Sequence, residues 1–255
     1  MLRPRIIPCL LIHNDGLVKT VGFENSRYVG DPINAIKVFN EKLVDEIMVV
    51  DIDATVNKTE PNYKLIESFS AEARMPVSYV GGVKSVDQIR KIISLGVEKV
   101  GMSSAALENP DLITQAAEEV GSQSIVVVLD VKKINSNTYQ VFTHNGKNPV
   151  DDDPIDLAIQ AVSKGAGELI VYSIDRDGTN MGYDHQLIDS IRNSINVPLT
   201  AIGGAGGNED LKELIDRYQI IGAGAGDMFV FKGKFKAVLI TYPTKEVKDF
   251  ICGRS

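Results

Sequence analysis

The sequence predicts an α/β protein, a (β/α)8 barrel (TIM barrel) built from two half-barrel repeats, and three observations carry that prediction. Eight short apolar or β-branched runs alternate with amphipathic stretches along the 255 residues. Several runs are continuously apolar, as a parallel sheet covered on both faces requires. A set of motifs in the first half recurs in the second. Eight strand–helix units in about 250 residues is the arithmetic of such a barrel, whose ligand site lies at the carboxyl ends of the strands. A doubly wound open sheet also alternates, but it carries a glycine-rich turn after its first strand, and none follows residues 6–12.

The predicted strands are residues 6–12, 47–52, 77–80, 99–102, 125–131, 169–174, 199–202 and 220–223. Between them, Asp31-Pro32 opens a helix with proline in its first turn and apolar residues at Ile36 and Phe39. Ser85 caps a second that runs to Ile93, and Gly96 closes the turn behind it. Asn109-Pro110-Asp111 opens a third, and residues 156–162 lie in a fourth. Each crossover is long enough for a right-handed parallel connection.

Residues 1–255 read as a single barrel domain, long enough to bury roughly 70–75% of its unfolded surface without staples. Lysine and arginine number 27 against 34 acidic residues, a net charge of −7, which argues against a nucleic-acid binder that works by phosphate neutralisation. Apolar runs such as residues 125–129 are too short to span a bilayer. The start, Met1-Leu2-Arg3-Pro4-Arg5, has no signal-peptide apolar core, so the expected location is the cytoplasm, away from membranes. Cys9 and Cys252 form no CxxC spacing, and Cys9 reads as packed within the first strand. His13, His144 and His185 show no metal-ligand spacing, and His144 reads as a loop residue beside a turn at Asn145-Gly146. No Gly-x-Ser-x-Gly elbow is present. The chemistry on offer is acid–base work with backbone anion binding, without metal or cofactor. Lys232, Lys234 and Lys236 read either as a solvated helix start or as a local anion or partner patch.

The repeat is explicit. Asp51-Ile-Asp53-Ala-Thr55 matches Asp175-Arg-Asp177-Gly-Thr179, and a glycine pair follows each, Gly81-Gly82 and Gly203-Gly204. Small-residue strand ends come next, Gly101-Met-Ser103-Ser104 in one half and Gly222-Ala-Gly224-Ala-Gly226 in the other. Such loops let backbone N–H groups approach an anion, and a helix starting there adds its positive end, so two phosphates can sit on opposite rims. Asp130 ends a buried run and either lines the mouth or caps a helix; Asp51, Asp53, Asp130 and Asp177 are either site carboxylates or turn-formers that bond local amides. Aligning the first strand on the fifth sets Leu11 opposite Asp130, so a mechanism with one acid per half lacks its first acid. At the other strand ends stand Arg5, Glu46, Lys99 and Glu168. They are either solvated or, if they point inward, obliged to pair as a ring.

These residues resemble the cyclase subunit of imidazole glycerol phosphate synthase over nearly the whole chain. The resemblance rests on Arg5-Ile-Ile-x-Cys9-Leu10, Phe23-Glu-Asn-x-Arg27-x-x-Gly30-Asp31-Pro32, Glu108-Asn-Pro110, Gly121-Ser-Gln123, Gly182-Tyr-Asp184 and Gly203-Gly-Ala-Gly206. The most specific match is Ser173-Ile-Asp-Arg-Asp-Gly-Thr179. It implies that Arg5, Glu46, Lys99 and Glu168 gate an ammonia passage fed by a glutaminase on the N-terminal barrel face. It implies a phosphorylated small-molecule substrate, with Asp130 and Asp177 as catalytic acids and Lys19 beside the substrate. One phosphate rim is then Asp177, Gly178, Thr179, Gly203, Gly204, Gly206 and Gly226. The other is Asp51, Gly82, Ser103 and Ser104. Departures from the family are Leu11 for the first-strand Asp, Ser103-Ser104 for Asn-Thr, a missing third glycine after Gly82, and Asp227 for a Ser of the far rim. The glycine rim keeps its glycines and is expected to hold phosphate better than the Ser103 rim, which has lost an amide side chain and a neighbouring glycine; Asp227 repels phosphate unless it turns away, toward Lys232 or Lys234. The stretch from Phe229 to Pro243 is similar to paralogues found with surface-polysaccharide enzymes, which implies ammonia delivery to a sugar amidotransferase that builds amidino sugars. The histidine-pathway cyclase is the alternative, and a silent scaffold that activates the glutaminase is a third reading.

Overall fold

The computed structural model describes residues 3–253; Met1 and Leu2 of the N-terminal stretch read above lie outside them. Eight parallel strands close on themselves: β1 (Arg5–His13), β2 (Ile47–Asp51), β3 (Val77–Val80), β4 (Lys99–Met102), β5 (Ile125–Asn135), β6 (Glu168–Ser173), β7 (Leu199–Ile202) and β8 (Gly222–Ala225). The closing ladder runs from Arg5 opposite Gly222 to Pro8 opposite Ala225. The principal helices are α1 (Pro32–Glu41), α2 (Tyr63–Glu72), α3 (Val86–Ser94), α4 (Asp111–Val120), α5 (Pro154–Ser163), α6 (His185–Arg192), α7 (Asn208–Tyr218) and α8 (Lys245–Ile251). This is a (β/α)8 barrel.

Burial on two sides explains the unbroken apolar runs. Ile7, Cys9, Met48, Val80, Val126, Val128, Ile170, Tyr172 and Ile202 fill the barrel interior. Alternate residues such as Ile6, Leu10, Val49, Val127, Leu129 and Leu169 face outward onto Ile36, Phe39, Ile66, Phe69, Ile89 and Ile92 in one continuous core. Each wholly buried Phe of this layer contributes about 1.5–3 kcal/mol by leaving water. The expected caps form: Asp31 accepts from Asn34 N at 2.7 Å and Ser85 from Gln88 N at 3.3 Å.

Three features differ from the sequence reading. β8 starts two residues later than expected, because Gln219 takes a positive φ and Ile220 stays partly exposed in the exit from α7. The Lys232–Lys236 run is no helix start: Phe231–Lys232 pairs with Ala237–Val238 as a small hairpin. Two further hairpins rise over the mouth, at the same place in each half-barrel. After β1, Gly16–Val21 pairs with Glu24–Gly30; after β5, Thr138–Thr143 folds back on the strand's extension.

The two halves correspond strand by strand, but in a different frame from the one read in the sequence. A Cβ on Gly81 would lie 2.3 Å from the Asp51 carbonyl, and one on Gly203 2.6 Å from that of Ser173. Both glycines hold positive φ, 126° and 102°, so each half needs glycine there. Asp51 therefore corresponds to Ser173, not Asp175. The two Asp-x-Asp strings are displaced by the 3-10 turn Ile174–Arg176 that follows β6.

Candidate functional site

At the amino end of the barrel, the four charged residues point inward and form a closed ring. Arg5 Nη1 donates to Glu46 Oε2 at 2.5 Å and Arg5 Nη2 to Glu168 Oε1 at 2.6 Å. Lys99 Nζ reaches both carboxylates, at 3.1 and 2.9 Å. Ser78 donates to Glu46 at 2.5 Å and Thr200 to Glu168 at 2.6 Å, two hydroxyls absent from the sequence reading. Burial works against charge on Glu168, but Arg5 and Lys99 together outweigh it and hold the carboxyl down to about 2. The ring separates the N-terminal face from an apolar interior.

At the carboxyl end, a cavity of about 350 Å3 opens above Met48, Val80, Val128 and Ile202. Asp51, Gly82, Ser103, Ser104 and Asp130 all line it, as the sequence placed them. Asp130 faces the mouth rather than capping a helix. Burial pushes its carboxyl up to about 7, against the opposing pull of the Ser103 hydroxyl 3.2 Å away. A carboxyl there can exchange a proton near neutral pH. Leu11 lines the same cavity: it pairs with Val50 in the β1–β2 ladder as Asp130 pairs with Tyr172 in the β5–β6 ladder. The two hold equivalent places, and only one is an acid.

The turn at Asn145-Gly146 forms as expected, with His144, Asn145 and Gly146 all at positive φ, but it folds across this mouth. His144 N donates to Ser104 Oγ at 3.2 Å and Asn145 Nδ2 to the Ile52 carbonyl at 2.5 Å. His144, Asn145, Lys58 and Lys84 thus join the cavity wall unannounced by spacing, His144 from the loop in which the sequence placed it.

All four carboxylates of the Asp-x-Asp strings accept backbone amides, the turn-forming role. Asp51 takes those of Asp53 and Ala54, Asp53 that of Asn14, Asp175 that of Lys133, and Asp177 that of Phe23. Asp177 also accepts from the hydroxyls of Thr20 and Tyr172, each at 2.7 Å. Its oxygens are committed to anchoring the first hairpin.

The glycine rim borders a second, smaller space of about 20 Å3, lined by Lys19, Asp177, Gly178, Asn180, Gly203, Gly204, Gly226 and Asp227. Here the glycines serve close chain packing. A Cβ on Gly178 would stand 2.2 Å from the Thr20 carbonyl, and one on Gly204 2.0 Å from that of Gly182. Two predicted rim residues are not on its wall. Thr179 turns its hydroxyl onto the Arg176 carbonyl, and the Gly206 amide is spent on the Asp210 carboxylate at 2.7 Å. Asn180, not foreseen, takes a place there. Lys19 is buried and donates to the Cys9 carbonyl; burial lowers its pKa, countered by the nearby Asp227 and Asp177. Asp227 does turn to a lysine, but to Lys236 at 2.8 Å rather than Lys232 or Lys234. Cys9 is packed as expected, its thiol pushed up to about 12 by burial and so no nucleophile.

Comparisons with known proteins bear on the whole chain. The family described as histidine biosynthesis protein matches residues 5–236. A protein of Leptospira interrogans named "Putative imidazole glycerol phosphate synthase subunit HisF" is 49% identical over 250 residues, 98% of each chain. One of Vibrio vulnificus named as subunit hisF3 of that synthase is 50% identical over 249 residues, 97% of this chain and 96% of its own. The imidazole glycerol phosphate synthase subunit HisF of Dehalococcoides mccartyi is 38% identical over 251 residues, 98% and 96% of the two chains.

Proposed function

The chain belongs to the histidine biosynthesis family, among the cyclase subunits of imidazole glycerol phosphate synthase, and from that premise we propose that it works as the ammonia-accepting partner of a glutaminase and delivers ammonia for amidino-sugar formation in surface-glycan biosynthesis. The observation that carries this reading is an intact charged ring below a mouth that has lost one acid. Ammonia is neutral and crosses an apolar interior, whereas ammonium does not. The ring is where the two are sorted: a glutaminase on the N-terminal face releases ammonia against it, and a displacement of Lys99 from Glu46 and Glu168 opens the way. Above it, the walls from Ile7 to Ile202 offer nothing that would protonate the passing molecule.

At the mouth, Leu11 replaces the carboxylate that a two-acid cyclisation needs, while conduction needs no acid at all. Higher identity to the subunit named hisF3 than to the Dehalococcoides subunit supports a divergent copy. In this role a sugar amidotransferase takes the ammonia at the carboxyl face. One observation favours the second reading, a working cyclase of histidine biosynthesis: Asp130 in the open cavity, at about 7, is a competent proton carrier. Reconstitution separates them. The full chain is mixed with a glutaminase subunit of an imidazole glycerol phosphate synthase and run on gel filtration, then assayed with glutamine and with ammonium salts. A stable pair that hydrolyses glutamine yet forms no imidazole glycerol phosphate is the expected result. Efficient imidazole formation gives the second reading; failure to bind any glutaminase removes the conduit.

A further inference from the structure

One carboxylate stands at the head of the apolar interior without a cation. Along β5 the inward row runs Val126, Val128, Asp130: the valines fill the barrel, and Asp130 comes next, in the wall of the large cavity. At its level the ladders set Leu11 beside Val50 and Asp130 beside Tyr172. The Tyr172 hydroxyl is turned to Asp177, so of these four only Asp130 can give a proton to the cavity or take one from it.

Other carboxylates of the barrel are matched. Glu46 and Glu168 share Arg5 and Lys99, Asp227 takes Lys236, and Asp177 is held by three donors. Asp130 has one hydrogen bond to its carboxyl among the described residues, from Ser103 Oγ to Oδ2 at 3.2 Å, and no charged neighbour offsets its burial. The cations around the cavity are spent elsewhere or stand apart. Lys84 pairs with Glu60 at 3.8 Å, Lys19 donates to the Cys9 carbonyl, His144 lies 4.0 Å from Glu108, and Lys58 is exposed. Asp51 and Glu108 join Asp130 on the wall, so its charge favours a small cation over an anion. Conduction by itself needs no acid, which leaves this carboxyl free for another use.

We propose that Asp130, with Ser103, forms an ammonium-binding site at the head of the passage, where delivered ammonia is kept as its conjugate acid until an acceptor draws it off. The O–H bond of the Asp130 carboxyl breaks and the nitrogen lone pair takes the proton, leaving a carboxylate–ammonium pair. Return of the proton to Asp130 releases ammonia. Burial holds the Asp130 pKa at about 7, so a proton is available near neutrality, and a cation beside the carboxylate then offsets the cost of its charge. The Ser103 oxygen keeps lone pairs for a second N–H. Once charged, the ligand cannot slip back through the apolar interior. The holding role rests on the ammonia-accepting reading above, whereas binding is measured on the chain alone, so the failure of one is distinguishable from the failure of the other.

The Asp130 carboxyl is titrated by 13C NMR of the full chain in ammonium, potassium and sodium chloride at equal ionic strength. Ammonium binds the carboxylate and not the acid, so it is expected to lower the midpoint by about half a pH unit or more relative to both other salts. Potassium is the control for a small cation that has no N–H donors. At pH 8, ammonium chloride is expected to raise the Tm by about 2 °C or more over sodium chloride. Asp130→Asn should show no such rise, while Glu108→Gln, which removes a different acid of the wall, should keep it. Equal midpoints in the three salts, a potassium effect as large as that of ammonium, or the same rise in Asp130→Asn overturns the proposal.

Discussion

Glu46 and Glu168 are the same residue in the two half-barrels: each accepts from a hydroxyl one strand on, Ser78 and Thr200, and each is shared by Arg5 and Lys99. The ring is therefore a two-fold device, closed by cations from β1 and β4 on acids that precede β2 and begin β6. Its members satisfy one another, with both acids buried and both cations only partly exposed.

Removing one acid should cost accordingly. Glu168→Gln leaves Arg5 and Lys99 half-paired and should lower stability at pH 7 by about 3 kcal/mol, as measured by urea unfolding. The sign with pH follows from a folded pKa held down to about 2 against an ordinary 4.5. The stabilisation is present above about pH 4.5 and is lost as pH falls toward 2, so the variant and the wild type should converge in acid. An equal deficit at pH 7 and pH 3 would show that packing, not charge, is at stake.

Asp130 should behave in the opposite sense. Its folded pKa, about 7, lies above its ordinary 3.8, so the folded state binds its proton more tightly. Wild-type stability should fall as pH rises from about 4 to about 7 on this account and level off above. Asp130→Asn keeps an acceptor for Ser103 and avoids the buried charge. It should be more stable than the wild type at pH 8, by a margin on the order of a few kcal/mol, and indistinguishable near pH 4. Parallel pH profiles for the two proteins would refute the placement of this carboxyl.

With Leu11 at the place of an acid, ammonium-dependent formation of imidazole glycerol phosphate should run about 10²–10⁴-fold below that of a two-acid enzyme. Leu11→Asp should raise it, and Asp130→Asn should abolish the gain. Turnover at the two-acid level in the unmodified chain would mean that another cavity group, His144 foremost, carries the second proton.

Gly81→Ala and Gly203→Ala should each destabilise by about 2 kcal/mol or more, since each adds a Cβ onto a carbonyl in a left-handed backbone. Gly30→Ala, with nothing within 4 Å of the new Cβ, should stay within about 0.5 kcal/mol. Thermal melts of the three side by side decide it, and equal shifts would contradict the two-fold packing of Gly81 and Gly203.

The sequence alone determined the elements whose cause is local. Runs such as Val126–Val128 are apolar throughout because helices cover one face and the barrel interior the other, and that requirement is visible residue by residue. Asp31 and Ser85 announced their helices because a cap acts within one turn. The inward acids and bases at the strand starts were legible as candidates, and Leu11 as a missing partner of Asp130. Only the tertiary structure decided what depends on closure. Asp51 pairs in the repeat with Ser173 because the chain turns after β6 by an amount no string match reveals. His144 reaches Ser104, forty residues away, because a hairpin carries it over the mouth, and Asp227 meets Lys236 because a second hairpin bends back. Backbone pattern is dictated by neighbours along the chain; which side chains share a cavity is dictated by the fold that brings distant neighbours together.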